Sequence, residues 1–175
     1  GGDVNDPAYR EVMIRWFQYG AFCPLFRLHG FRFPQTSPKS GGANEIWSYG
    51  KEAYEIMKYF LLLRERLRPY IMDQMKVASV NGLPPMRPLF VDYPKDKKSW
   101  DIEDEFLFGP DILVAPITRA GERERSIYLP FGADWINAWT KKQEKGGSSI
   151  GVDAPIERIP VFVKSHAKII EVFKK

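Results

Sequence analysis

Arg27 and His29 stand two residues apart in the run Arg27-Leu28-His29-Gly30, directly before a long polar stretch. Arginine presents a planar fork of donors, and an imidazole can donate or accept, so the pair suits hydrogen bonding to a hydroxyl-rich ligand. Position alone is equally compatible with two side chains that satisfy buried backbone carbonyls. Asp101, Glu103, Asp104 and Glu105 cluster in a polar stretch ahead of an apolar run and read as a solvated loop. Asp3 and Asp6 lie where a helix begins, so capping and the helix dipole account for them. No acid in the chain is therefore assigned a catalytic role. Cys23, between Phe22 and Pro24, reads as a buried thiol, and His166 as a structural residue. Two isolated histidines and one cysteine lack metal-ligand spacing, and Gly41-Gly42 and Gly146-Gly147 read as turns rather than phosphate loops. Neither a metal nor a cofactor is expected.

The 175 residues suffice for one large domain or two small ones with a real core. A net charge of +4 is spread along the chain, with short clusters at Lys95-Asp96-Lys97-Lys98 and Lys141-Lys142, which argues against a nucleic-acid partner. A single cysteine excludes an internal disulfide, and the longest apolar run, Tyr59 to Leu63, is far too short for a membrane span. Aromatic residues make up 14% of the chain, enough for a thick core, a ring-lined binding surface, or both. The opening Gly1-Gly2-Asp3 carries no initiator methionine, and a preceding segment is expected.

The elements that must position Arg27 and His29 can be read from residue spacing. Asp6-Pro7 is a helix-start signal, Val12, Met13, Trp16 and Phe17 repeat at helical intervals, and Gly20 stops the run, giving a helix over 7–19. Leu25–Leu28 reads as a short buried strand with His29 at its C-terminal end. Phe31 to Gly50 reads as a long loop whose aromatics Phe31, Phe33, Trp47 and Tyr49 suit either stacking or packing. Tyr54, Met57, Phe60, Leu63, Leu67, Tyr70, Ile71 and Met75 predict a helix from Lys51 to about Val80, kinked or broken at Pro69. Beyond Asn81-Gly82 the texture changes to short β-type runs at Leu89–Tyr93, Ile112–Ile117, Ser126–Leu129, Trp135–Trp139 and Ile159–Val163. The reading is an α/β portion over 1–82 and an antiparallel β-domain over 83–175. That order suits the C-terminal part of a (β/α)8 barrel followed by an antiparallel β-sandwich, and in such a barrel active sites form at the strand ends where His29 falls.

Arg15 through Gly30 resembles the seventh-helix-to-eighth-strand region of family 31 glycoside hydrolases, especially the bacterial α-xylosidase-like members. Leu67-Arg68-Pro69-Tyr70, Pro85-Met86-Arg87-Pro88-Leu89, Gly109-Pro110-Asp111-Ile112-Leu113-Val114-Ala115-Pro116, Tyr128-Leu129-Pro130, Trp135 through Thr140 and Ile159 through Lys164 resemble the same family in the same order. The resemblance implies hydrolysis of terminal α-linked xylosyl or glucosyl residues with retention. It implies that His29 contacts the sugar next to the scissile bond, with Arg27 beside it. It also implies two catalytic aspartates lying before residue 1, since Gly1-Gly2-Asp3 is similar to the residues just after the family's Asp-Ile-Gly-Gly-Phe segment. Such chemistry needs two carboxyl groups about 5–5.5 Å apart across the bond. By this reading the partners are an α-linked carbohydrate and the missing N-terminal barrel portion or other subunits, and the chain alone is inactive. A non-catalytic carbohydrate-binding or assembly module of a split enzyme is the alternative. Transglycosylation or lyase chemistry on the same scaffold stays open, because fold does not fix reaction.

Overall fold

The computed structural model describes residues 2–35, 37 and 41–174. Gly1 of the opening motif and positions 36 and 38–40 of the predicted loop lie outside the described residues. The Asp6 carboxylate accepts the Ala8 N–H at 2.9 Å, Pro7 stands at the first helical position, and α1 runs Pro7–Gly20. Ala21 and Phe22, fully buried, carry the chain out of α1 into residues 23–30, which pair with no strand. The strand expected at Leu25–Leu28 is therefore corrected to an unpaired segment. A strand is defined by its neighbours, and among the described residues none lies alongside to share a ladder.

A 3-10 turn at Ile46–Tyr49 leads into α2, Lys51–Asn81, whose Met57, Phe60, Leu63, Leu67 and Ile71 form one buried stripe. Pro69 does not break this helix, which corrects that half of the expectation. The missing N–H and ring clash cost on the order of 3 kcal/mol, but Leu67 and Ile71 anchor the helix on either side. Gly82 then ends α2 in the left-handed conformation, φ +69°, its N–H donating to Ala78 O at 3.0 Å.

The described residues after Gly82 carry eight short strands: β1 Met86–Arg87, β2 Phe106–Phe108, β3 Ile112–Val114, β4 Glu124–Leu129, β5 Asp134–Asn137, β6 Gln143–Lys145, β7 Ser148–Asp153 and β8 Val161–Lys164. They form a six-stranded antiparallel sheet of order β1-β2-β3-β8-β5-β6 and a two-stranded antiparallel ladder of β4 with β7. The apolar run Leu89–Tyr93, expected as a strand, is instead a one-turn helix, α3, at Leu89–Asp92. Only Leu89 in it is fully buried, and Phe90 stacks on Trp100 at 4.6 Å, so no alternating face is available to a sheet.

The large sheet is covered on both faces. Leu107, Leu113 and Phe162 project to one side and pack with Trp135 and with Ile127, Tyr128 and Leu129 of β4, making a sandwich core. The alternate residues Phe106, Phe108, Ile112, Val114, Val161 and Val163 belong instead to the main core with the stripes of α1 and α2. This two-residue alternation is why β2, β3 and the first three residues of β8 are buried throughout although the strands are antiparallel. Rings bridge the two units: Tyr19 meets Phe106 and Phe22 meets Phe108, both edge-on, at 5.6 and 6.3 Å. Tyr70 adds polar contacts, donating to Phe108 O and accepting from Asp111 N. A Cβ on Gly109, at φ +63°, would collide with that hydroxyl.

Asp96 caps a 3-10 turn at Lys97–Trp100 through the Lys98 N–H, and accepts from Tyr128 Oη at 2.7 Å and Phe131 N at 2.8 Å. Burial raises its pKa, but these donors outweigh it and leave the carboxyl below its ordinary value. Asp96→Ala is expected to cost about 2 kcal/mol, read as a lower urea midpoint at pH 7.

Candidate functional site

Gly20 and Ala21 close α1, and the chain then runs through half-buried Cys23 towards the exposed Arg27 and His29. The expectation of a buried thiol is met in part: the Cys23 sulfhydryl donates to Tyr19 O at 3.5 Å, and burial pushes its pKa up against the opposing pull of Tyr19 and Arg64. A thiol held in its neutral form is a poor nucleophile.

Arg27 Nη2 lies 3.0 Å from His29 Nδ1. Arginine is only a donor, so Nδ1 must accept, and this places the imidazole proton on Nε2. The pair therefore offers a fixed arrangement, with a guanidinium fork beside an Nε2–H donor. Gly30, at φ +113°, turns the chain immediately afterwards, a conformation that side chains rarely adopt. Beyond it Phe33 bridges to Asp3, its N–H donating to Gly2 O and its carbonyl accepting from Val4 N, so the loop after Gly30 is tied to the start of the described chain.

Arg27 and Leu28 line a concavity of about 500 Å³ together with Phe26, Asn44, Glu45 and Trp47. His29 is not among its lining residues and lies at the adjoining surface. Of the loop aromatics, Trp47 is 68% exposed and Phe31 and Phe33 are also exposed, but Tyr49 is buried, so of stacking and packing it takes packing. Tyr49 instead links two polar groups: Arg32 Nε donates to its hydroxyl at 3.0 Å, and the hydroxyl donates to Asn44 Oδ1 at 2.7 Å. Buried Arg32 thus braces the pocket wall through Asn44, with its guanidinium over the Tyr9 ring at 5.8 Å. Sequence reasoning missed Arg32. The signal was an arginine between two phenylalanines with no acid nearby, a setting in which a cation must find aromatic or neutral partners.

A second concavity, of about 780 Å³, lies between α1 and the β-domain and shares no lining residue with the first. Trp16 and Trp100, 71% and 57% exposed, face it, as does Glu105. Glu105 is buried, so its reading as part of a solvated loop is corrected, whereas Asp101, Glu103 and Asp104 are exposed as expected. Glu105 Oε1 accepts the Tyr128 N–H at 2.7 Å, and Oε2 has no partner among the described residues. The nearest cation, Arg125, sits 3.9 Å away and pairs more closely with Asp104 at 2.7 Å. Burial dominates and pushes the Glu105 carboxyl up to about 7. A raised carboxyl pKa is a property of general acids, but this side chain is only 2% exposed and has no surface to offer a substrate. Among the described residues, no group of three or more His, Cys, Asp or Glu is placed to hold a metal ion. No helix among them is long and apolar enough to cross a membrane.

Comparison with known proteins matches residues 1–74 to the glycosyl hydrolases family 31 TIM-barrel domain and residues 82–169 to the glycosyl hydrolase family 31 C-terminal domain. An α-xylosidase of Saccharolobus solfataricus is 34% identical over 95% of this chain and 22% of its own length. Alpha-glucosidase 2 of Bacillus thermoamyloliquefaciens is 35% identical over 97% of this chain and 21% of its own. The crystal structure of a family 31 α-xylosidase from a soil metagenome, complexed with xylose, superposes with a TM-score of 0.96 at 51% identity, covering 99% of this chain and 27% of that one. The chain thus spans between about a fifth and a quarter of these relatives, as the end of a TIM barrel followed by an antiparallel β-domain. Both halves of the chain agree on one assignment: the protein belongs to glycosyl hydrolase family 31.

Proposed function

We propose that the chain supplies one wall of the sugar pocket, and the β-domain that supports it, in a retaining α-glycosidase acting on terminal α-xylosyl or α-glucosyl residues. The observation that carries this reading is the Arg27–His29 contact, which fixes a donor fork and an Nε2–H at the edge of a pocket that Arg27 itself lines. The 51% identity to an α-xylosidase crystallised with xylose favours the xylosyl member of that pair. His29 and Arg27 hold and orient the sugar. Bond cleavage is carried by two aspartates outside these residues, contributed by the remaining barrel. In this reading the two units divide at 82/83, a boundary supported by the end of α2 at Gly82.

Isothermal titration with methyl α-xyloside and methyl α-glucoside tests this reading. His29→Ala and Arg27→Ala, both at exposed positions, are each expected to weaken binding about tenfold or more without lowering Tm. Wild-type affinity in both variants overturns the pocket assignment. Turnover of an aryl α-xyloside by the purified 175-residue chain overturns the placement of the catalytic acids elsewhere.

Assembly with a separate barrel portion is a second reading, favoured by one observation. Leu25, 82% exposed, lies on the unpaired segment beside Arg27, where a barrel strand would cover it.

A further inference from the structure

We infer that Arg64 is the positioning residue for the Arg27–His29 pair, holding from α2 the backbone that a strand neighbour would otherwise hold. Its functional consequence rests on the sugar-binding reading of that pair, but its structural content does not. Among the described residues, no backbone N–H or carbonyl from 25 to 30 joins a backbone hydrogen bond, so main-chain pairing does not fix the path to His29. Arg64 Nη1 donates to Ala21 O at 2.9 Å and Cys23 O at 2.7 Å, with a longer contact to Gly20 O at 3.5 Å. Nη2 donates to Pro24 O at 3.0 Å. The guanidinium also lies over the Phe26 ring at 5.1 Å, and that ring meets Phe17 of α1 edge-on at 4.7 Å. One side chain therefore grips the segment at four carbonyls and one ring, the last of them adjacent to Arg27.

Simple capping of α1 would explain only part of this. Gly20 O and Ala21 O belong to the helix end, where a cation serves the free carbonyls. Cys23 O, Pro24 O and the Phe26 ring lie beyond the helix, on the approach to His29. Only a planar fork reaches Cys23 O and Pro24 O from two nitrogens while presenting a face to the ring. A lysine ammonium lacks that geometry.

The chain contains two histidines, His29 and His166, and His166 lies beyond β8, so its ring serves as an internal reference for NMR. In Arg64→Met, the His29 ring signals are expected to move towards those of an imidazole with no arginine partner while the His166 signals stay fixed. Backbone amide order parameters over 25–30 are expected to fall from the range of a rigid backbone towards that of a flexible one, below about 0.6, with Arg64→Lys intermediate. If Arg64→Met does not fold, Arg64→Lys against wild type carries the same comparison. Unchanged His29 signals and 25–30 order parameters in a folded variant, with only a lower Tm, overturn the inference and leave Arg64 a helix cap. Failure of the wild-type chain to bind methyl α-xyloside removes the sugar reading without touching the His29 result.

Discussion

Replacing Arg15 with methionine is expected to destabilise the protein by about 3–5 kcal/mol and to lower Tm by roughly 10 °C. Arg15 leaves the middle of α1 and is buried. Its Nη1 donates to Pro155 O, Arg158 O and Gln18 Oε1 at 3.2, 2.7 and 3.1 Å, and its Nη2 donates to Glu122 O and Ala154 O at 3.2 and 2.8 Å. Gln18, one turn on, donates to Ile156 O at 2.7 Å, so the two side chains clamp the 154–158 loop onto the helix. Burial, and then the nearby Arg123, bring the Arg15 pKa down to about 10, so the side chain remains charged at neutral pH. Methionine would fill much of the space but leave Ala154 O and Arg158 O without the donors they have here, whereas Pro155 O keeps the Arg158 N–H and Glu122 O keeps Arg123 Nη1; each orphaned carbonyl is worth about 1–3 kcal/mol where water does not replace the arginine. Thermal and urea unfolding of Arg15→Met and Arg15→Lys provide the measurement, with lysine expected to recover part of the loss. A decrease below about 1 kcal/mol for methionine would show that water satisfies these carbonyls.

Stability is expected to fall as pH rises from about 4.5 to 7, and Glu105 is the cause. Its folded-state pKa of about 7 lies above the 4.5 of an unfolded glutamate. Below pH 4.5 the carboxyl is protonated in both states and costs nothing. Between the two values the unfolded chain releases the proton and the folded one retains it, which favours unfolding, and above about pH 7 the loss levels off at about 3 kcal/mol. Glu11 and Asp96, whose pKa values are lowered, have the opposite sign, and their stabilisation is lost as pH falls through their folded values. Both are less enclosed than Glu105, so solvent screening makes their effect smaller. Glu105→Gln preserves an acceptor for the Tyr128 N–H and removes the titration. The difference in unfolding free energy between wild type and Glu105→Gln should therefore change by about 2–3 kcal/mol between about pH 5 and 8, in favour of the variant at the alkaline end. Parallel curves across that range would mean that Glu105 ionises freely in the folded protein.

Local signals in the sequence located most elements. Asp6-Pro7 announced α1, the spacing of Met57 to Ile71 announced α2, and Asn81-Gly82 marked its end. The misreadings arose where distant packing decides. Leu25–Leu28 has strand composition but no neighbour among the described residues, and Leu89-Phe90-Val91 turns helical because one residue, not an alternating face, is buried. Glu105 looks like its exposed neighbours Glu103 and Asp104 until β2 and β4 close over it. Arg27 and His29 were legible as a motif because their neighbours in sequence are also their neighbours in space. The roles of Arg15, Arg32 and Arg64 were not, because their partners are carbonyls, rings and hydroxyls up to 143 residues away in the chain.

The core that joins the helices to one face of the large sheet bears on how such proteins diverge. Leu63 and Leu67 of α2 share it with Ile112 of β3 and Val161 of β8, so a change of volume on either side of Gly82 must be met by a change on the other. Lineages that alter one unit are thus constrained to alter its counterpart. Recombination that exchanges the β-domain alone between distant members would inherit mismatched surfaces, whereas a crossover upstream of α1 would carry the fitted pair intact.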